Sequence, residues 1–130
     1  MNIVIDTSAI IAVITNEPER PKLIETTMGF DLIAPQSVHW EVGNAFSAMF
    51  KRQRLSIEQA EQAIESYQKI PIKFVTVDLK QALNIAASHS IYAYDAYLIV
   101  CALNNKAPLI SLDKYLINQS LEIGIKIIEI

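Results

Sequence analysis

Four acidic residues of this 130-residue chain sit where burial makes a carboxylate costly. Asp6 closes the apolar run "NIVID" and precedes a second one, Ala9 to Ile14. Glu41 falls within a stripe of Val38, Val42, Ala45 and Met49 at helical spacing. Asp95 opens "YDAYLIVCAL", the most apolar helical segment, and Asp113 follows the short run "APLIS" by two residues. An ionised carboxylate on a core-facing stripe is unfavourable unless something compensates it. Two carboxylates about 4 Å apart repel by roughly 4 kcal/mol at an effective dielectric near 20. Three or four together therefore require protons or a cation. With no histidine or cysteine among them, an oxygen-only set suits a hard ion, Mg²⁺ or Mn²⁺. Such an ion suits phosphoryl chemistry, because it lowers the pKa of a bound water and neutralises charge on the leaving oxygen. Ser8 is placed to orient Asp6 or a water, and Ser111 to do the same for Asp113.

Each acid also has an ordinary reading. Asp6 and Asp113 can cap helices, Glu41 can lie at the margin of its stripe and reach water, and Asp95 in a first helical turn complements the helix dipole. The chemical reading rests on their joint placement. His39 and His89 lie away from the set and read as ordinary residues, and Cys101 reads as core filler.

The elements that must position these residues alternate between short buried strands and helices. "NIVID" is too short and too β-branched for a helix and reads as a strand. Helices follow over 7–14 and 19–27, separated by the breaker "NEPERP". Residues 32–34 read as a second strand, and Ser37 as the N-cap of a long helix over roughly 37–53. "SIEQAEQAIESYQK" is a further helix, "IKFVTV" a third strand, and Asp78 caps a helix to about Ser90. "APLIS" is a fourth strand, 114–121 a short helix, and "IKIIEI" a closing fifth strand. This order predicts a single domain over 1–130, a three-layer α/β/α sandwich with a mainly parallel central sheet. Ligands of such sheets gather at the carboxyl ends of the strands, where Asp6 and Asp113 lie.

Composition narrows the function classes. Hydrophobic residues make up 52% of the chain, which excludes disorder. The single cysteine cannot form an internal disulfide, so a reducing compartment is expected. No basic leader precedes the first apolar run, and the longest apolar stretch, Ala96 to Leu103, is far shorter than a membrane helix. A cytoplasmic protein without membrane association is the expectation. The net charge of −3 gives no general affinity for nucleic acid. Yet once the four site acids are set aside from the 14, ten remain against 11 basic residues. Lys51, Arg52 and Arg54 cluster at the end of the long helix. They read as a solvated C-terminus favoured by the dipole or as a phosphate-contacting patch for RNA. Trp40, Tyr92 and Tyr94 read as core aromatics before base-stacking ones.

The stretches "IDTSAII", "EVGNAF" at 41–46, "YDAYLIVCAL" at 94–103 and "PLISLD" at 108–113, in this order, resemble the PIN-domain family. Within it they resemble the ribonuclease toxins of VapBC-type toxin–antitoxin pairs, over essentially the whole chain. The resemblance implies a Mg²⁺- or Mn²⁺-dependent endoribonuclease. Asp6, Glu41, Asp95 and Asp113 fall on the catalytic, metal-binding acids, and Ser8, Asn44 and Ser111 on supporting polar positions. Ser111 stands where threonine is more usual. Leu98 and Ile99 supply no further acid beside Asp95, so one or two metals remain open. The resemblance also implies an RNA substrate, a homodimer and a cognate antitoxin covering the groove. A noncatalytic PIN-like interaction module is the alternative, although such a module has no need of clustered, mutually repelling carboxylates.

Overall fold

The computed structural model describes residues 1–130. Its elements in chain order are β1 (Asn2–Ile5), α1 (Thr7–Ile14), α2 (Arg20–Thr27), β2 (Asp31–Pro35), α3 (Ser37–Lys51) and α4 (Ile57–Gln68). β3 (Ile72–Val75), α5 (Leu79–His89), α6 (Ala93–Asn105), β4 (Leu109–Ile110) and α7 (Lys114–Ile123) complete it. The β-branched run at the N-terminus forms a short buried strand as expected, one of the two inner strands of the sheet. Ile3 and Val4 are fully buried, which suits a strand covered on both faces.

The four strands are all parallel, in the order β3-β2-β1-β4. The chain winds from β1 outward through β2 to β3, then crosses back to place β4 on the other side of β1. Val4 pairs with Leu109 and Ile5 with Ile110. The strand order thus reverses between β1 and β4. A crevice opens at such a switch point, beyond the carboxyl ends of the two strands, because the helices that follow them leave in different directions.

Helices pack in two groups. α1 touches α2, α3 and α4, while α6 packs on β1, β2 and α5. The result is the expected α/β architecture with a parallel central sheet. α6 is apolar nearly all round, and Ala96, Leu98, Ile99, Val100, Cys101 and Ala102 are all buried. Burial pushes the Cys101 thiol up to about 12, consistent with an inert core residue. Buried polar residues are limited to Asp6, Ser111 and Ser120, and two of these three lie at the crevice.

Two local expectations are corrected. "IKIIEI" contributes an isolated parallel bridge, Ile127 with Leu109, in place of a full fifth strand. β4 has only two residues against which to extend a ladder. Ser37 is the first residue of α3 instead of its N-cap. Gln36 occupies the cap with helical backbone angles and no side-chain bond, which frees the Ser37 hydroxyl for another role. By contrast Asp78 caps α5, and Ser56 with Gln59 forms a reciprocal capping box on α4.

Because α6 carries Asp95 and packs on β1 and β2, and its Ile99 is fully buried in the core, cavity formation there tests the core directly. Ile99→Ala should lower unfolding free energy by about 2–5 kcal/mol in urea titrations. Ser56→Ala should cost about 1 kcal/mol and leave the crevice untouched.

Candidate active site

β1 delivers Asp6 to the crevice, and the turn into α1 makes it the helix N-cap. Asp6 is only 4% exposed. Oδ1 accepts the Ala9 amide at 3.0 Å. The Ser8 hydroxyl lies 2.8 Å from Oδ1 and 2.9 Å from Oδ2, and donates to the carboxylate. The Ser111 hydroxyl donates to Oδ2 at 2.6 Å. Both serines are in turn tied to the loop after β4. The Leu112 amide donates to Ser8 Oγ at 2.9 Å, and the Asp113 amide to Ser111 Oγ at 3.0 Å. Two serines thus staple the ends of β1 and β4 together through one carboxylate. Ser111 was expected to orient the Asp113 side chain; its hydroxyl is turned toward Asp6 instead, and only the Asp113 backbone reaches it.

Asp113 is the N-cap of α7 and accepts the Tyr115 and Leu116 amides at 2.9 and 3.2 Å. Capping and placement at the crevice are therefore both true of Asp6 and of Asp113. Asp95 lies in the first turn of α6, and Glu41 in the second turn of α3, partly buried.

The charges of these four residues form a closed circuit. Asp113 acts on Asp6, Asp6 and Asp95 act on Glu41, and Asp113 acts on Asp95, in each case raising the proton affinity. The four acids influence one another in pairs around the crevice, without forming a cluster of three or more at metal-binding distance. Burial is the larger cause at each shifted site. It raises Asp6 and Asp95, and it pushes Glu41 up to about 7, with Ser37 opposing, Asp6 and Asp95 adding, and Thr7 opposing. Ser37 and Thr7 flank Glu41 closely enough to favour its charge, yet neither hydroxyl completes a hydrogen bond to it. Glu41 Oε2, Thr7 Oγ1 and Ser37 Oγ are all buried without a partner. Neither Thr7 nor Ser37 was assigned to the site from the sequence, where Ser37 read as a helix cap. The signal for Ser37 was its position one helical turn before Glu41 on the same face.

Other sequence candidates fall elsewhere. Asn44 is exposed, and its side chain bonds nothing within the chain. Lys51, Arg52 and Arg54 are exposed at the opposite end of α3. That is about 15 Å along the axis from Glu41, so they are no part of the acid pocket. His39 bonds the Tyr67 hydroxyl at 2.9 Å, away from the acids. Trp40, Tyr92 and Tyr94, expected in the core, are 74%, 84% and 58% exposed. Trp40 is two residues from both Val38 and Val42, roughly 200° around the helix from the buried stripe. Tyr92 precedes α6 and Tyr94 lies in its first turn, beyond the reach of the sheet.

The donor set fits a hard divalent ion. It is all oxygen, and its most buried members hold raised proton affinities that a cation would reverse. Glu41 also presents a buried oxygen with no other partner. No three acidic, histidine or cysteine side chains stand close enough together to enclose one ion. A cleft of about 870 Å³ lies between α1, α2 and the end of α4 and includes none of the four acids.

The PIN domain family model matches residues 3–120, and the chain belongs to that family. PIN domains are generally nucleases and typically use divalent metal ions. Three solved structures are similar in fold. PAE2754 from Pyrobaculum aerophilum is 19% identical, with a TM-score of 0.72 over 92% of this chain and 79% of that one. VapBC2 from Rickettsia felis, bound to a DNA fragment from the promoter, is 13% identical, with a TM-score of 0.68 over 99% and 98%. VapC20 of Mycobacterium tuberculosis, a toxin that cleaves the sarcin–ricin loop, is 12% identical, with a TM-score of 0.67 over 98% and 99%. No curated protein matches the sequence.

Two outcomes are expected. In chelator, the folded protein keeps a proton on Glu41 that the unfolded chain has released between about pH 4.5 and 7. Stability should therefore fall as pH rises through that window, and Glu41→Gln should flatten the dependence. Urea midpoints at pH 5 and pH 8 read this, and a midpoint higher at pH 8 contradicts it. Ser111→Ala removes the shortest bond to Asp6 and should weaken Mn²⁺ binding by roughly 10–100-fold in calorimetric titrations. Ser111→Thr should retain the affinity.

Proposed function

We propose that this protein is a metal-dependent endoribonuclease, the toxin of a toxin–antitoxin pair, and that Asp6, Glu41, Asp95 and Asp113 form its metal-binding catalytic centre. The observation that carries the proposal is the closed circuit of four repelling acids at the β1/β4 switch point. Helix capping accounts for Asp6 and Asp113 but not for the partly buried Glu41, whose Oε2 has no partner, and that remainder points to chemistry. Membership of a nuclease family and likeness to VapC-type folds support the same reading.

Bound Mg²⁺ or Mn²⁺ would supply an activated water and neutralise charge on the phosphate. The chain's own groups have separable tasks. Ser8, Ser111 and the Ala9 amide hold the Asp6 carboxylate in one orientation, so the order it needs is established before substrate arrives. Glu41, with its high proton affinity and free oxygen, is suited to accept a proton or a cation. Asp95 and Asp113 would supply the remaining carboxylates to the ion. RNA is the substrate that this reading assigns, with single-stranded stretches favoured because their backbone is accessible.

The cognate antitoxin is assigned as partner. The 870 Å³ cleft presents exposed Ile24, Met28 and Phe30 beside Arg20 and Lys69. That chemistry suits an amphipathic helix with an acidic flank. A homodimer is also assigned, with exposed Leu79 and Leu83 on α5 as its apolar contact. No helix is long and apolar enough to cross a membrane, and the free Cys101 suits the reducing cytoplasm.

Purified protein should cleave total RNA in Mn²⁺ and not in chelator. Asp6→Asn should slow cleavage by more than roughly 100-fold, beyond the range for outer-sphere partners, while its melting temperature holds or rises. Equal cleavage by wild type, variant and chelated samples would contradict the reading and favour a noncatalytic module.

A further inference from the structure

Three of the five buried side-chain oxygens without a hydrogen-bond partner belong to one place: Thr7 Oγ1, Ser37 Oγ and Glu41 Oε2. Thr7 opens α1 and Ser37 opens α3, and these two helices pack on each other. Ser37 and Glu41 stand at i and i+4 on one face of α3. Both hydroxyls are near enough to the Glu41 carboxylate to favour its charged form.

A hydroxyl on or beside a helix ordinarily finds a partner close at hand. It bonds the carbonyl one turn back, as Thr15 does to Ile11 at 2.6 Å and Thr27 to Leu23 at 2.8 Å. Otherwise it caps the helix, as Ser56 does. Thr7 and Ser37 take neither route. As first residues they have no helical turn behind them, and the caps are Asp6 and Gln36. A buried hydroxyl left unbonded weakens a fold, so two of them facing one carboxylate call for a reason outside the fold.

Asp6 shows what such hydroxyls do when engaged. Ser8 and Ser111 both donate to it. Glu41 has a matching pair of hydroxyls with the bonds unmade. An ionised carboxylate accepts hydroxyl donors more strongly and at shorter distance than a neutral carboxyl does. A cation at this edge keeps Glu41 charged, and Thr7 and Ser37 are the donors beside it.

We propose that Thr7 and Ser37 are positioning residues, a hydroxyl pair that closes on the Glu41 carboxylate when it holds a divalent cation and fixes the direction in which it faces the ion. This inference rests on the metal-centre reading above and adds the groups that orient Glu41 as Ser8 and Ser111 orient Asp6. Because the two hydroxyls come from α1 and α3, their closing also ties these helices together across the site.

Mn²⁺ affinity is measured by water-proton relaxation, which reads weak sites, and melting temperature is measured in chelator. Ser37→Ala and Thr7→Val should each weaken Mn²⁺ binding about tenfold. The metal-free melting temperature should hold or rise, since each change removes an unpartnered buried oxygen. Thr7→Ser keeps the hydroxyl and should keep the affinity. In a Glu41→Ala background, removing either hydroxyl should weaken Mn²⁺ binding no further. Wild-type affinity in Ser37→Ala and Thr7→Val overturns the pair. So does an undiminished tenfold loss in the Glu41→Ala background, which would place the action of the hydroxyls elsewhere. A lower melting temperature in chelator overturns it as well, by making the hydroxyls structural. No Mn²⁺ binding by wild type overturns the pair together with the metal centre. Cleavage of total RNA in Mn²⁺ is run in parallel. If wild type binds Mn²⁺ and cuts nothing, the nuclease reading fails and the pair is judged on affinity alone. If wild type cuts and both hydroxyl variants bind and cut as it does, the pair fails while the nuclease reading stands.

Discussion

Repulsion among four carboxylates at one sheet edge is the constraint around which the rest of this molecule is arranged. Asp6, Glu41, Asp95 and Asp113 each raise the proton affinity of a neighbour or have theirs raised by one. The most buried of them, Asp6, is kept in place by hydroxyl and amide donors from both flanking segments. Those donors oppose the desolvation cost without cancelling it, since burial remains the largest influence on the group. On the proposed reading, a hard ion bound at this edge would offset that desolvation cost and stabilise the folded chain.

The sheet topology explains why these acids share one edge. Asp6 and Asp113 follow adjacent parallel strands across the one place where strand order reverses. Glu41 and Asp95 arrive on α3 and α6, whose first turns begin at the same edge. The serine pair then converts proximity into register. Through Ser8 and Ser111, a side chain after β1 is bonded to backbone amides after β4. With only two residues in β4, these links supplement a short ladder.

Much of this was legible in the residues. "NIVID" and "APLIS" are recognisable strands because β-branched runs of that length cannot satisfy a helix, and α6 was recognisable because its apolar positions leave no polar face. The acids stood out as charges on buried patterns. What was not legible depended on side-chain direction. Ser111 was paired with its sequence neighbour Asp113, when its hydroxyl turns across the crevice to Asp6. Ser37 looked like a cap, when its hydroxyl sits beside Glu41 one turn on. Trp40, Tyr92 and Tyr94 were assigned to the core on hydrophobicity, yet the helical phase of Trp40 and the overhang of the α6 start leave them in water. The last segment has strand composition but a single bridge, because composition does not reveal how much edge is left to pair with.

The most direct measurement is paramagnetic broadening of backbone amide NMR signals by sub-stoichiometric Mn²⁺. If the four acids share one ion, the amides of Ala9, Glu41, Asp95, Leu112 and Asp113 should broaden first and together, and added Mg²⁺ should restore them. Broadening that begins instead along the acidic stripe of α4 at Glu58, Glu61 and Glu65, or that leaves Leu112 and Asp95 sharp while saturating elsewhere, would contradict a common cation site.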